Sequence, residues 1–315
     1  MITSGLNTSF IEAQQYSQFI LENLQDGMLP DGFYRDVSDF GNGTTLNIKT
    51  IGEANIQEVE EDSALVYTAI ETGNVTLSIT DYVGDAWYIT DKLRQDGSQI
   101  ETLLAARGRS ATRAIQENFE TRALAVLNGA QTPNAANTIN GQAHRFKAIG
   151  PNESLSLADL IKMKLAFDKA DVPFGGRVAF VDPIVGASLN FLFAGAARPD
   201  TTSGFEDILR NGFDRDHSYL MNIFGWNIVS SNRLPTVAAG AEFTNAGVSV
   251  ANIFMSIADD QTKPLMVAWR QQPHVEGERN KDKQRDEFVS TARWGVGVQR
   301  VDTLGVILTS ASAVF

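Results

Sequence analysis

The chain has no cysteine among its 315 residues, which excludes disulfides and every thiolate chemistry, whether metal-binding, redox or nucleophilic. Histidine is nearly as scarce. His144, His217 and His274 are the only three, they lie far apart, and no two have the spacing at which a helix presents paired metal ligands. Basic charge is in deficit: 26 Lys and Arg stand against 38 Asp and Glu, a net charge of −12. Broad binding to duplex DNA draws its affinity from cations that displace phosphate counterions, so this balance argues against it. Long apolar runs are missing as well. The longest, "PIVGASLNFLFAGAA" from Pro183, is interrupted by Ser188 and Asn190 and is too short to cross a bilayer. The opening stretch "MITSGLNTSFIEAQQYSQFILENLQ" shows neither a basic start nor an apolar core of secretory type. The expectation is a soluble protein made in a cytoplasm, with no membrane partner.

Catalytic signatures are thin. There is no Gly-x-Ser-x-Gly elbow and no Walker loop. "GNGTTL" at residues 41 to 46 precedes a strand rather than a helix, so it reads as a turn. "DRDHSY" sets Asp214 and Asp216 beside His217 without a partner motif, and reads as a solvated turn. The acids Glu58, Glu60, Glu61 and Asp62 lack the Asp-x-Asp-x-Asp-Gly order of a calcium loop. They read as a loop tip or as salt-bridge partners of another chain. No cofactor, metal or catalytic residue is assigned. A carboxylate-based α/β hydrolase stays open as a reading, since such chemistry needs only two acids brought together.

What is present is a set of clear periodicities in a chain of globular composition, 43% hydrophobic and 20% charged. Residues 9 to 25 place Phe10, Tyr16, Phe19, Ile20 and Leu24 at helical spacings, and "QDGMLPDGFYRD" then bends the chain with two Asp-Gly pairs and a proline. "TTLNIKTIG" and "NVTLSITDYV" alternate, with Leu46 and Ile48 on one strand and Val75, Leu77 and Ile79 on the other. A two-stranded ribbon is marginal alone in water and needs a third surface.

Residues 98 to 128 carry one long apolar helix stripe, roughly 45 Å at 1.5 Å per residue. Ser98 and Glu101 suit a capping box, Gly129 a stop, and Gly108 a bend or close packing. Arg107, Arg109 and Arg113 form a compact basic group on this helix, either solvated or opposite acids of another chain. A second helix follows in "SLADLIKMKLAFDKA", with Ser156 and Asp159 near its start and Leu157, Leu160, Ile161, Leu165 and Phe167 mostly facing inward. "GGRVAFVDP" reads as a buried strand, residues 184 to 194 as a third helix, and residues 152 to 288 as a mixed α/β module. The charged stretch "EGERNKDKQRDE" then precedes "FVSTARWGVGVQRVDTLGVILTS", which reads as closing strands.

The order of these elements resembles the major capsid proteins of tailed bacteriophages, whose coat fold is shared with encapsulin nanocompartments. The resemblance rests on the two alternating strands, on "IETLLAARGRSATRAIQENFETRALAVLNG", on "NIFGWNIVSSNRLP" and on "ARWGVGVQRVDTLGVILTS". It implies an α+β fold with an N-terminal arm (1–43), an extended two-stranded loop (44–90), a peripheral domain (91–151) with its spine helix, an axial domain (152–288) and strands returning to the peripheral domain (289–315). It implies a structural protein rather than an enzyme, a virion capsid assembled in a bacterial cytoplasm as pentamers and hexamers of an icosahedral shell around double-stranded DNA. Implied partners are further copies of itself, portal and scaffolding proteins, and a decoration protein. An encapsulin shell is the alternative within the same fold. In this reading Leu46, Ile48, Val75, Leu77 and Ile79 are buried partly against the neighbouring subunit, and Leu77→Asp leaves a folded subunit that cannot assemble. The contact candidates are completed by Glu58, Glu60, Glu61, Asp62, Arg107, Arg109 and Arg113.

Overall fold

In a computed structural model, the structure describes residues 32–39, 43–52, 56–59, 67, 69–97, 100–131, 138–196, 219–238 and 247–312. The expected helix over residues 9–25, the cap at Ser98 and the stretch "DRDHS" lie outside the described residues.

The chain enters through Phe33 and Tyr34 into β1 (Arg35–Asp36), then forms β2 (Thr45–Ile51), β3 (Thr72–Ser78) and β4 (Asp81–Thr90). A short helix α1 (Asp91–Asp96) leads to the long α2 (Ile100–Ala130). Short strands β5 (Thr138–Ile139), β6 (Gln142–Ala143) and β7 (Arg145–Lys147) follow, then α3 (Leu157–Lys169), β8 (Arg177–Val181) and α4 (Pro183–Ala196). The remaining elements are β9 (Tyr219–Ile223), β10 (Trp226–Ser230), β11 (Thr236–Val237), β12 (Ser249–Ser256), β13 (Leu265–Asn280), β14 (Arg285–Val298) and β15 (Leu304–Ser310).

Local chemistry explains several boundaries. Ser156 Oγ accepts from Asp159 N at 3.3 Å while the Asp159 carboxylate accepts from Ser156 N at 2.9 Å, the reciprocal box that starts α3. Asn140 and Gly141 both hold positive φ, 48° and 78°, and close the β5–β6 hairpin as Asn-Gly pairs do. Gly129 lies inside α2 rather than beyond it, since the helix runs on to Ala130.

Two sheets carry the fold. The peripheral sheet has the order β1-β13-β14-β4, and the larger mixed sheet the order β7-β15-β12-β8-β10-β9, with β11 paired to β12. Helix α2 spans both. Its residues Ile115, Phe119, Ala123, Leu124 and Leu127 share one core with Trp294 and Ala292 of the peripheral sheet and with Phe180, Ile253 and Leu304 of the mixed sheet. On the mixed sheet's other face, Leu160, Met163 and Phe167 of α3 and Val185 and Leu189 of α4 close over Ala179, Ile228, Phe254 and Ile307. The alternation Val178/Ala179/Phe180/Val181 thus feeds two cores from a strand that is buried throughout.

The topology moves three of the expected boundaries. Strand β4 belongs to the peripheral sheet, so the free ribbon is only β2 and β3. Strand β13 is already peripheral from Leu265, and the charged stretch 276–287 is the end of its hairpin with β14 rather than part of the axial module. Strand β15 lies between β7 and β12 in the mixed sheet, not in the peripheral one. Helix α3 also turns differently from expectation. Leu160, Met163, Ala166 and Phe167 face inward, whereas Ile161 and Leu165 are exposed.

Candidate assembly surfaces

The ribbon is half satisfied by its own chain. Leu77 and Ile79, 1% and 5% exposed, pack with Met266 and Ala268 of β13, and Leu46, Ile48 and Val75 lie half-buried against the same cluster. This corrects the expectation that a neighbouring subunit covers Leu77 and Ile79: the third surface at the ribbon's base is the subunit's own peripheral sheet. The crossing is tight. A Cβ on Gly295 would stand 2.5 Å from Ser78 O, and one on Gly297 2.8 Å from Leu77 Cδ1, so the two glycines of "WGVGV" let ribbon and sheet touch.

Burial falls away toward the far end. Ile51 is 78% exposed, Ile56 93%, Val59 73%, Tyr67 95% and Ile70 79%. Among the described residues these five large apolar side chains are thus exposed on one excursion, a grouping rather than single scattered apolar residues. Glu58 is exposed among them, while Glu60, Glu61 and Asp62 lie outside the described residues. The sequence signal was available, since Ile56, Val59, Tyr67 and Ile70 punctuate an acidic stretch, but it has no periodicity and reads as linker.

The basic group separates. Arg107 and Arg109, two positions apart on a helix, point about 200° apart at 100° per residue. Arg107 bonds Asp85 of β4 at 2.6 Å and stands over the Trp87 ring at 5.6 Å, and is thus engaged by its own chain. Arg109 and Arg113, one turn apart, line a groove of about 530 Å³ with Ala105, Gly108, Thr112 and Val275. Arg113 also reaches Glu117 one turn further along, at 3.4 Å. Among the described residues a Cβ on Gly108 would meet nothing within 4 Å, so the close packing expected there is not supplied by them. The groove lies on the α2 side of the peripheral sheet, opposite the face that carries the ribbon.

The far end of the peripheral sheet is a closed ionic network. Arg279 bonds Asp91 at 2.7 and 2.8 Å and Asp286 at 3.2 Å, and Arg94 bonds Asp286. The bond from Arg279 holds the Asp91 carboxyl below its ordinary range, and the two carboxylates push the Arg279 guanidinium up. These charges pin α1 to the hairpin. Among the described residues no cluster of three or more metal-ligating side chains occurs, and no helix is long and apolar enough to cross a membrane.

Residues 73–309 match the family described as phage capsid protein, and the chain belongs to that family. The family is structural, a component of the virion capsid, and this displaces both the hydrolase reading and the encapsulin alternative. No curated protein matches the chain. Among solved structures, the capsid of Ralstonia phage GP4 is similar at a TM-score of 0.69 and 12% identity, over 96% of this chain and 96% of that one. The Cyanophage Pam1 capsid is similar at 0.67 and 16%, over 100% of both chains. A Mycobacterium phage Che8 chain is similar at 0.64 and 18%, over 94% of this chain and 97% of that one. At these identities the likeness establishes the fold, an α+β capsid fold over almost the whole length.

Proposed function

We propose that this chain is the major capsid protein of a tailed phage, whose copies close into an icosahedral shell around double-stranded DNA by laying the segment between β2 and β3 on a neighbouring subunit. The observation that carries this reading is the exposure gradient from the ribbon's base into the segment that joins its two strands, from Leu77 at 1% to Tyr67 at 95%. Covering even half of five such side chains contributes several kcal/mol per contact at about 25 cal/mol per Å², before the ordering of the loop is subtracted. Leu46, Ile48 and Val75 then form the border between the intrachain anchor and the contact. Glu58, with Glu60, Glu61 and Asp62 after it in the sequence, faces cations of the neighbour.

The net charge of −12 leaves enclosed DNA without a strongly held phosphate lining, so the genome is contained rather than specifically bound. Portal, scaffolding and decoration proteins complete the proposed partners. The test is electron microscopy and sizing of the purified full-length protein. Pentamers, hexamers or closed particles are expected, and a protein that stays monomeric under every assembly condition tried defeats the reading.

A further inference from the structure

Asn140 caps a helix from outside it. Its Nδ2 donates to the Lys169 carbonyl at 2.7 Å. Lys169 is the last residue of α3, and a carbonyl in that position has no partner within its own helix. The donor comes from the β5–β6 hairpin, whose strands are two residues each and pair Thr138 with Ala143 and Ile139 with Gln142. Strand β6 packs against the same helix. The Asn140 amide thus joins the tip of a very short hairpin to the end of α3.

The same amide is in the sequence context where asparagine is chemically least durable. Gly141 follows it, both residues are exposed, and no side chain shields the Gly141 nitrogen from the Asn140 Cγ. The closing pair of the hairpin is Ile139 with Gln142, so the strand ladder does not hold the Gly141 N–H. A second Asn-Gly pair shows the contrast. Asn128 and Gly129 lie inside α2, where the helix fixes the backbone, and Arg145 Nη1 donates to Asn128 Oδ1 at 2.8 Å and to the Asn128 carbonyl at 3.2 Å.

We propose that Asn140 is a site of spontaneous deamidation, and that its modification uncaps α3. As the bond to Lys169 opens, the Gly141 nitrogen attacks the Asn140 Cγ. A C–N bond forms, the Cγ–Nδ2 bond breaks, and Nδ2 leaves as ammonia with the proton that the Gly141 nitrogen gives up. Water then opens the succinimide at either carbonyl, giving aspartate, or isoaspartate with an added methylene in the main chain. Either product exchanges a donor for a carboxylate. Two acceptors with no proton between them then face each other, at a helix end whose dipole already disfavours anions. The proposal goes beyond the shell reading and does not depend on it, because it is tested on isolated subunits whether or not they close into particles.

The test ages the purified full-length protein at mildly alkaline pH in water labelled with heavy oxygen and maps its peptides by mass spectrometry. Asn140 is expected to take up one labelled oxygen at least tenfold faster than Asn128. The structural consequence is read on Asn140→Asp, by amide hydrogen exchange. Exchange at residues 166–170, the last turn of α3, is expected to be at least fivefold faster than in the unmodified protein, with Leu124 and Leu127 unchanged. The aged wild-type chain gives the same readout should the variant not fold. Labelling of Asn140 no faster than of Asn128 overturns the proposal. Undiminished protection of the last turn of α3 after the amide is lost overturns it as well.

Discussion

Arg233 donates through Nη1 to Glu120 Oε2 at 2.9 Å and through Nη2 to Glu117 Oε1 at 3.1 Å, with the Arg233 and Glu120 side chains only 10% and 4% exposed. Arg233 sits in the turn after β10 of the mixed sheet, where its own N–H donates to Ser231 Oγ at 3.3 Å. Glu120 sits midway along α2. The pair therefore ties the mixed sheet to the helix that also carries the peripheral sheet. Removing one member of a buried ion pair costs about 3–5 kcal/mol, because the remaining charge loses its partner away from water. Arg233→Ala is expected to lower subunit stability by that amount in urea unfolding. Arg233→Met combined with Glu120→Leu is expected to recover most of the loss.

A second prediction concerns acid. His144 is fully buried, its ring stacked on Phe167 at 5.8 Å and its Nδ1–H donating to the Gln142 carbonyl at 3.2 Å. Burial holds its pKa below the ordinary 6.5, outweighing the backbone bond that favours the charged form. The sign follows from which state binds the proton more readily. The unfolded chain protonates near the ordinary value while the fold resists, so stability is full above pH 6.5 and declines as pH falls below it, by at most about 1.4 kcal/mol per pH unit. His144→Phe is expected to flatten that limb in melting temperature measured from pH 7.5 to 5. An unchanged slope would show that the acid sensitivity arises elsewhere.

Periodicity made the spine helix and the ribbon legible, because apolar residues at threes and fours over thirty positions line up only on a helix, and strict alternation lines them up only on a strand. It did not say which way α3 turns. Ile161 and Leu165 continue the apolar pattern of Leu160, Met163 and Phe167, and a helix with apolar residues on more than one face does not declare its buried side. Strand partners were also hidden. Leu304–Ser310 follows β14 closely in sequence, yet pairs with β12 and β7, a choice made by the shared core around Leu304 and Ile307 rather than by any local signal. The anchor of the ribbon was hidden for the same reason: Met266 and Ala268 lie almost two hundred residues further along the chain.

A third prediction tests that anchor. A methyl group on Gly295 would meet Ser78 O at 2.5 Å and Ile79 Cα at 2.8 Å, both backbone atoms that cannot rotate away. Gly295→Ala is therefore expected to lift the base of the ribbon from β14. The expected readout is faster hydrogen exchange at residues 75–79, with little change at Leu124 and Leu127 in the spine core. Equal protection of the ribbon in both proteins would mean that the sheet yields instead.

The last prediction separates the ribbon from the segment that joins its strands. At Leu77, aspartate would place a carboxylate in a pocket formed by Ile79, Met266 and Ala268, losing about 1.5–3 kcal/mol of apolar transfer and adding the cost of an uncompensated charge. Leu77→Asp is thus expected to destabilise the isolated subunit by about 4 kcal/mol or more in urea, which replaces the expectation that it spares folding. At Ile56 and Tyr67 the side chains already stand in solvent. Ile56→Asp and Tyr67→Asp are expected to change subunit stability by no more than about 0.5 kcal/mol, and yet to abolish closed particles by sizing and electron microscopy. Wild-type particle yields from the double variant would place the intersubunit contact on some other surface. A large loss of subunit stability would mean that the segment between β2 and β3 folds back on its own chain.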